Sequence, residues 1–320
     1  MHILCSTDKN YIMPTGVMMK SVSVNNEESD ICFHVIIDKS VSWWQKWQLR
    51  SVVKGCKRHH VEFYVFDDSL LDTFPAVGEV KANYITNSAY YRLFAEKLLS
   101  HNIEKVLYLD VDIVVNKPLR ELWNTDLSDF GLASVTDMSE NMQDFNRLGY
   151  NASLGYFNSG VLLINLKYWR KNHITDEFVD LIVTHPEMIK FHDQDVLNIV
   201  FCRNKLYLPF AYNLQSGFMY KPELMELDYE KYKQQIKDAI EHRIMIHFCC
   251  SLKPWHEGCE NPLKDEWLKY QAMTRWRHCH PKSMYALSLR VRVGNILRRF
   301  HILHPLQVEN KESLQYIQIS

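Results

Sequence analysis

The sequence predicts an α/β protein in which a mostly parallel sheet is covered by helices. In the first 115 residues, short apolar runs alternate with helical stretches, and this alternation is typical of parallel sheets. The runs are rich in Val, Ile, Leu and Tyr, as expected of strands buried on both faces. With 320 residues, 47% of them hydrophobic and 23% charged, the chain is long enough to form one large globular domain.

The elements of the first half follow from this alternation. They are the strand HILCST, a helix from Pro14 to about Asn25, the strand ICFHVIID, the helix SVSWWQKWQLRSVVKGC, the strand VEFYVFD, the helix SAYYRLFAEKLL and the strand KVLYLDVDIVV. Ligands of such sheets bind beyond the carboxyl ends of the strands. We therefore expect Ser6, Thr7 and Asp8, which end the first strand, to face one crevice with Asp110 and Asp112, which end the fourth.

The second half is less regular, and its charge is unevenly distributed. It comprises GLASVTD, a polar segment from Met138 to Leu154, YFNSGVLLINLKYW, a helix over Asp176 to Thr184, HDQDVLNIVF, KLYLPFAYN, a helix over Tyr229 to His242, and RIMIHFCCSLKPW. The net charge is −1, which argues against a nucleic-acid partner. Residues 267–308 nevertheless contain eight Lys or Arg and no Asp or Glu. We divide the chain into a body, residues 1–255, and a basic helical C-terminal segment, residues 256–320.

The basic segment leaves two interpretations open. Residues 283–303 place an apolar helical stripe beside four arginines, a pattern that fits a helix lying on an anionic membrane. The same stripe would also suit a helix packed on the body. The N-terminus does not resemble a signal peptide, and the eight cysteines include no C-x-x-C pair. We expect a cytoplasmic protein, peripheral on the inner face of the membrane if the first interpretation holds.

Two aspartates occur in the apolar strand VLYLDVDIVV, residues 106–115. Residues two apart in a strand share a face, so Asp110 and Asp112 would place two carboxylates side by side. Burying two adjacent anions is costly unless a cation joins them. Mg²⁺ and Mn²⁺ take oxygen ligands, commonly carboxylates together with phosphate oxygens. The pair therefore suits a metal–diphosphate complex, and the alternative is a solvated loop.

The same string also fits a second class of enzyme. An apolar strand followed by D-x-D-x-[TV] is typical of haloacid-dehalogenase phosphatases, in which Asp110 would be the nucleophile and Asp112 the general acid. That family carries the motif on its first strand, whereas three predicted strands precede it here.

Five motifs along residues 1 to about 255 resemble those of family 8 glycosyltransferases, which include bacterial lipopolysaccharide galactosyl- and glucosyltransferases. They are STDKNY (6–11), SAYYRLF (88–94), YLDVDIVV (108–115), FNSGVLLINL (157–166) with HDQDVLN (192–198), and HFCCSLKPW (247–255). The resemblance implies a GT-A fold with a single mixed, mostly parallel sheet. It also implies a retaining transferase that uses a nucleotide-diphosphate sugar.

The resemblance further implies a metal site at the motif YLDVDIVV. Asp110 and Asp112 would hold Mn²⁺ or Mg²⁺ on the donor diphosphate, with His247 as the third protein ligand. Imidazole suits Mn²⁺ better than Mg²⁺, which favours manganese. Lys253 would meet the diphosphate as a point charge, and metal and lysine together would stabilise the leaving nucleoside diphosphate.

The motif STDKNY would bind the base of the donor. Thr7 and Asp8 would contact uracil, Tyr11 would stack on it, and Asn10 would lie nearby. Asp8 can accept a hydrogen bond from the uracil N3–H, a donor that cytosine lacks. UDP is therefore favoured over CDP.

The remaining motifs would hold the sugar. Arg92 would reach toward the sugar and the phosphates, and Asn158, Asp193 and Gln194 would hold the hydroxyls and the reacting face. Asp193 and Gln194, with the two metal-binding aspartates, are the predicted catalytic residues. Because Gln194 is a poor nucleophile, we expect a front-face mechanism in which the leaving phosphate helps to deprotonate the acceptor.

One position departs from the family pattern. Family members usually have a glycine where this chain has Cys250, in H-x-x-G-x-x-K-P-W, and glycine lets the backbone approach phosphate closely. The predicted function is transfer of galactose or glucose from UDP-galactose or UDP-glucose to a cell-surface glycan such as lipopolysaccharide, with formation of an α-linkage. A phosphatase and a non-catalytic nucleotide-sugar-binding module stay open as alternatives.

Overall fold

The strands of the described part of the chain form two sheets. The computed structural model describes residues 1–74, 87–283 and 316–318. Its strands are β1 His2–Thr7, β2 Ile31–Ile37, β3 His59–Val65, β4 Lys105–Leu109, β5 Ile113–Val115, β6 Leu132–Ser134, β7 Val161–Asn165, β8 Lys205–Tyr207, β9 Leu214–Gln215 and β10 Met245–His247.

The larger sheet has seven strands in the order β3-β2-β1-β4-β7-β6-β8. Strand β7 runs antiparallel to β4 and β6, and the other neighbours are parallel. The prediction of a mixed, mostly parallel sheet is therefore confirmed. The prediction of a single sheet is incomplete, because β5, β10 and β9 form a second sheet of three strands.

The predicted fourth strand is broken at its two aspartates. Strand β4 ends at Leu109, and β5 leaves the large sheet to pair antiparallel with β10. Hydrogen bonds from the amide of Asp110 to the carbonyl of Gly160, 2.8 Å, and from the amide of Phe248 to the carbonyl of Asp112, 3.0 Å, fix the turn between them. One continuous strand was thus a wrong prediction, since strand pairing with distant residues decides where β4 stops. The turn holds both aspartates where the two sheets meet.

Helices cover both faces of the large sheet. They are α1 Ile12–Asn25, α2 Trp43–Val52, α3 Ala95–Leu98, α4 Arg120–Trp123, α5 Phe145–Leu148, α6 Leu166–Asn172, α7 Ile174–Thr184, α8 His192–Val200, α9 Tyr229–His242 and α10 Lys264–Ala272. Among them, α9 has the predicted bounds, and α1 and α7 begin two residues earlier than predicted.

The segment SAYYRLFAEKLL does not form the predicted α-helix. Asn87–Phe94 is a 3₁₀-helix, followed by the single α-helical turn of α3. Side chains bond to its carbonyls: Thr175 Oγ1 donates to Leu93 at 2.8 Å, and Arg92 Nε donates to Ala89 at 3.1 Å. The apolar composition of the segment predicts burial correctly but not the tighter winding.

Residues 256–283 pack against the body. In α10, Trp267 and Tyr270 are buried, and Asn25 Nδ2 of α1 donates to the Tyr270 hydroxyl at 2.9 Å. The division at residue 255 stays a prediction, while residues 256–283 share a core with α1. Apart from Ser283, the membrane helix predicted over 283–303 lies outside the described residues. Within the described ranges, no helix is both long and apolar enough to cross a membrane.

Candidate active site

A cleft of about 430 Å³ opens at the carboxyl ends of β1 and β4, where the sequence predicts a crevice. It brings together nearly all of the predicted site residues. Those that line it are Thr7, Asp8, Tyr11, Arg92, Asp110, Asp112, Asn158, Asp193, Gln194, His247 and Lys253. Asn10 is the exception: it is exposed and does not belong to the lining.

Two carboxylates and an imidazole converge at the junction of the two sheets. His247 Nε2 lies 3.2 Å from Asp112 Oδ1 and 3.8 Å from Asp110 Oδ2. One ligand atom from each of these residues lies within 4.8 Å of the others. Oxygen and nitrogen donors at this spacing fit a divalent cation such as Mn²⁺.

A chain of hydrogen bonds fixes the orientation of His247. The amide N–H of Gly160 donates to Asn158 Oδ1 at 2.9 Å, so the atom of Asn213 that faces the same oxygen, also at 2.9 Å, must be its NH₂ group. The Oδ1 of Asn213 then faces His247 Nδ1 at 3.0 Å, and Nδ1 must donate. Nε2 is therefore the ring atom of His247 that faces Asp110 and Asp112. Histidines of metal sites are commonly held in this way, by a partner on the outer side of the ring.

Gly160 is the residue that makes room for this cluster. A Cβ atom at Gly160 would lie 2.3 Å from Cε1 of His247 and 2.8 Å from Oδ2 of Asp110. Real Cβ atoms do not approach other atoms so closely, and both contacts are to side chains of the candidate metal site. The glycine of the motif N-S-G, directly before β7, is therefore a steric requirement of the candidate metal site.

Each aspartate of the cluster also has a basic partner. Lys253 Nζ donates to Asp112 Oδ2 at 2.7 Å and to the carbonyl of Phe248 at 2.8 Å. Burial opposes ionisation of Asp112, but the charges of Lys253 and His247 outweigh it and hold the pKa of Asp112 well below its usual range. Burial likewise opposes the charge of Lys253, and Asp112 raises the lysine pKa above its usual value. Both groups are therefore charged at neutral pH.

Arg92 ties the cluster to the neighbouring part of the cleft. Its Nη2 donates to Asp110 Oδ1 at 2.9 Å, and its Nε lies 3.2 Å from Asp193 Oδ2. The guanidinium also donates to the carbonyl of Ser159 at 2.7 Å and lies over the ring of Tyr108 at 4.1 Å. A buried arginine held by so many partners is rigid, and it positions two carboxylates at once.

Another part of the cleft is organised around Asp137, a buried carboxylate whose hydrogen-bond donors are all neutral. Asp137 Oδ2 accepts from Asn158 Nδ2 at 2.9 Å and from Gln194 Nε2 at 3.2 Å, while Ser139 donates its N–H and its hydroxyl to Oδ1. Gln194 Oε1 in turn accepts from the amide of Ser159 at 3.0 Å. Asn158 and Gln194 are thus brought together as predicted, but on a buried carboxylate that the sequence analysis did not single out.

Asp193 follows a strained residue. His192, the first residue of α8, has φ 49°, in the left-handed region that non-glycine residues seldom adopt. Burial raises the pKa of Asp193 to about 6; Arg92 opposes this shift, and Asp110 adds to it. Backbone strain concentrates at functional sites. Here the strained residue directly precedes Asp193 and Gln194, which lie in the first turn of α8.

The loop after β1, which also lines the cleft, carries the residues predicted to bind a base. Thr7 and Asp8 are buried, and the amide N–H of Asn10 donates to Asp8 Oδ1 at 2.6 Å. Tyr11 packs edge-on against Trp255, with ring centroids 6.4 Å apart. Asn10 thus contributes a backbone hydrogen bond that orients Asp8.

Cys250 fits its position without a glycine-like backbone, because its φ is not positive. Its Sγ lies 3.0 Å from the hydroxyl of Tyr220. Cys249, the residue before it, lines the cleft instead. The substitution of cysteine for the usual glycine therefore leaves His247 and Lys253 in place.

The fold is that of GT-A glycosyltransferases. It is similar to the crystal structure of the galactosyltransferase LgtC in complex with donor and acceptor sugar analogs, with a TM-score of 0.74, 24% identity, and coverage of 92% of this chain and 99% of that one. The family model of glycosyl transferase family 8 matches residues 2–259, so the chain belongs to that family. Membership rejects the phosphatase alternative for Asp110.

Curated relatives agree with this assignment. The chain is 28% identical to General stress protein A of Bacillus subtilis (strain 168), over 86% of this chain and 94% of that protein. It is 29% identical to a lipopolysaccharide 1,2-glucosyltransferase of Escherichia coli, over 85% of this chain and 78% of that protein.

Proposed function

We propose that this glycosyltransferase is a metal-dependent, retaining enzyme that transfers galactose or glucose from a UDP-sugar to a cell-surface glycan and forms an α-linkage. The observation that carries the proposal is the convergence of Asp110, Asp112 and His247 beside Lys253, in a cleft that the loop after β1 also lines. The donor set fits a hard or borderline divalent cation, for which we propose Mn²⁺, with Mg²⁺ as the second choice.

The leaving group defines the task of this cluster. A bound divalent cation would supply Lewis-acid stabilisation of the diphosphate that departs. Lys253 would add a fixed positive charge, held in place by Asp112 and the carbonyl of Phe248. Thr7, Asp8 and Tyr11 would hold the uracil, with Asp8 oriented by the amide of Asn10.

On the other side, Asp137, Asn158, Asp193 and Gln194 would face the sugar. Asp137 and Gln194 bond to each other, so the amide of Gln194 is fixed in one orientation. Glycosyl transfer places positive charge on the sugar ring in its transition state, as in glycoside hydrolysis. A carboxylate held by neutral donors, as Asp137 is, would stabilise that charge.

We propose a front-face mechanism, in which the departing phosphate takes the proton of the acceptor hydroxyl. Gln194 lacks a carboxylate and does not suit double displacement. Asp137 and Asp193 do carry carboxylates, so a trapped covalent sugar adduct on either residue would reject the front-face proposal. Mass spectrometry of the protein after incubation with a fluorinated donor is the measurement.

The acceptor proposal rests on the relatives. One relative is a lipopolysaccharide glucosyltransferase, and the structural neighbour is a galactosyltransferase. We therefore propose a growing glycan of the lipopolysaccharide type as acceptor, built at the cytoplasmic face of a membrane. Association of residues 283–303 with an anionic membrane belongs to the same proposal.

UDP release from a panel of UDP-sugars tests the function. We expect release from UDP-galactose or UDP-glucose with Mn²⁺, none with EDTA, and none from the variant Asp110→Ala/Asp112→Ala. Circular dichroism of the variant checks that it folds. Tight binding of a UDP-sugar without release, in the presence of Mn²⁺ and candidate acceptors, would instead identify a non-catalytic binding module.

A further inference from the structure

Three tryptophans at the start of α2 are exposed. Trp43 is 71% exposed, Trp44 48% and Trp47 42%. Trp44 and Trp47, three residues apart on the helix, stack with ring centroids 4.6 Å apart, and Trp43 lies 6.3 Å from Trp44. Large apolar side chains grouped on a surface are unusual in soluble proteins and mark interaction sites.

The helix does not need these rings for its own packing. Leu49 and Val52 are its buried residues, and Ser42 and Gln45 close a capping box at its first turn. The tryptophans occupy that first turn and the next, on the side away from the core. They are therefore available to a partner.

The surroundings of the tryptophans are basic. Residues 39–61 contain six Lys or Arg and no Asp or Glu, and residues 267–283 contain four more and again no acid. The fold brings the two stretches together, since the guanidinium of Arg275 lies 4.7 Å from the ring of Trp47 and 5.2 Å from that of Trp44. Ion pairs join Lys39 to Asp67, Arg58 to Asp30 and Lys269 to Glu266, so that three of these ten basic side chains are balanced by an acid.

We infer that α2 and residues 275–282 form a surface that binds an anionic lipid bilayer, with the tryptophans at headgroup depth and the basic residues on lipid phosphates. Tryptophan concentrates at membrane interfaces because one end of the ring system is apolar and the indole N–H stays wet. Lysine and arginine near a surface of anionic lipid add attraction residue by residue. This inference does not depend on the proposed transfer reaction.

The geometry favours a bilayer over a sugar as the occupant. A sugar stacks on a free ring face, whereas Trp44 and Trp47 cover each other and Arg275 lies against both. The surface also adjoins the base-binding end of the cleft, because Gln45 Nε2 donates to the carbonyl of Lys9 at 3.0 Å. Membrane binding by this surface would therefore hold the loop that carries Thr7 and Asp8 close to the bilayer.

Vesicle flotation of the full chain tests the inference. The vesicles are phosphatidylcholine alone and phosphatidylcholine mixed with phosphatidylglycerol. We expect binding to the mixed vesicles, a blue shift of tryptophan fluorescence, and a loss of roughly tenfold or more in affinity for Trp43→Ser/Trp44→Ser/Trp47→Ser. Arg275→Gln should weaken binding to the mixed vesicles severalfold.

A matched control replaces exposed apolar side chains elsewhere, Val183→Ser/Leu224→Ser, 46% exposed each, and should bind as the wild type does. All variants should release UDP at the wild-type rate from a soluble donor. Equal vesicle binding by the triple variant and the wild type would overturn the inference, because residues 283–303 or another surface would then carry the binding. The inference would also be overturned if the wild type bound neither kind of vesicle. A triple variant that lost self-association or glycan binding but kept vesicle binding would overturn it as well.

Discussion

The two sides of the cleft each hold two aspartates, but the aspartates are balanced in different ways. On the metal side, Asp110 pairs with Arg92 and Asp112 with Lys253. On the other side, Asp137 accepts four hydrogen bonds, all from neutral donors. Asp193 shares Arg92 with the metal side. One side is thus organised by charge and the other by amides, which suits the metal–diphosphate and the neutral sugar that we propose for them.

The largest effect is expected from a substitution among the charged residues of the candidate metal site. Asp112→Asn removes a candidate ligand and the partner of Lys253, which is then buried without its counter-ion. We expect the rate of UDP release to fall roughly 10³-fold or more, with loss of the dependence on Mn²⁺. The matched control is Asp126→Asn, an exposed aspartate bonded to Ser128. A variant of Asp112 with near-normal turnover would remove it from the site.

Gly160→Ala should act almost as strongly, without changing any charge. The added Cβ would force His247 and Asp110 apart, given approaches of 2.3 Å and 2.8 Å. We expect a loss of about 10²-fold in UDP release, with the far-ultraviolet spectrum unchanged, because displacing catalytic groups by a fraction of an ångström is this costly. Gly55→Ala is the control, since nothing lies within 4 Å of a Cβ there. Equal activity of the two variants would contradict the steric account.

Asn213→Ala tests the outer partner of the metal side. It removes the acceptor that fixes the Nδ1 proton of His247, and outer partners of this kind change metal affinity by about 10- to 100-fold. We expect the Mn²⁺ concentration for half-maximal activity to rise by that factor, while turnover at saturating Mn²⁺ changes less. Asn172→Ala, an exposed asparagine bonded to the carbonyl of Tyr168, should leave both values unchanged.

Asp137→Asn sharpens the comparison, because it removes a negative charge from the amide-organised side while Gly160 still holds Asn158 Oδ1 and with it the orientation of Asn213. An asparagine retains one acceptor oxygen, which can serve either Asn158 and Gln194 or the two donors of Ser139, but not both pairs as the carboxylate does. We expect kcat/KM to fall about 10- to 100-fold, with Mn²⁺ affinity as in the wild type. A parallel loss of Mn²⁺ affinity would show that the two sides are not separate.

The sequence indicates the residues of the charged side of the cleft more directly than those of the amide-organised side, for a physical reason. Asp110, Asp112, His247 and Lys253 occur in short strings whose spacing matches their chemistry, so the motifs indicate them directly. Asp137 and Asn213 occur in ordinary polar stretches. They become important because the order of β4, β7 and β6 in the large sheet and the place of β9 in the small sheet bring them to the cleft. A single sequence does not reveal how strands that are distant along the chain are paired.

Elsewhere the errors have the same origin. The apolar run around Asp110 predicts a strand correctly, but pairing of β5 with β10 breaks it. The segment around Arg92 predicts a helix, and side-chain donors to its carbonyls wind it more tightly. Local sequence thus predicts which residues are buried, while long-range partners decide the final geometry.

The most direct test of the central claim is Mn²⁺ binding itself, measured by electron paramagnetic resonance in the presence of UDP. We predict that the wild type and Asp137→Asn bind Mn²⁺ with the same affinity, and that Asp110→Asn, Asp112→Asn and His247→Ala lose it. Binding by these three variants as tight as that of the wild type, or no binding by the wild type, would contradict the account.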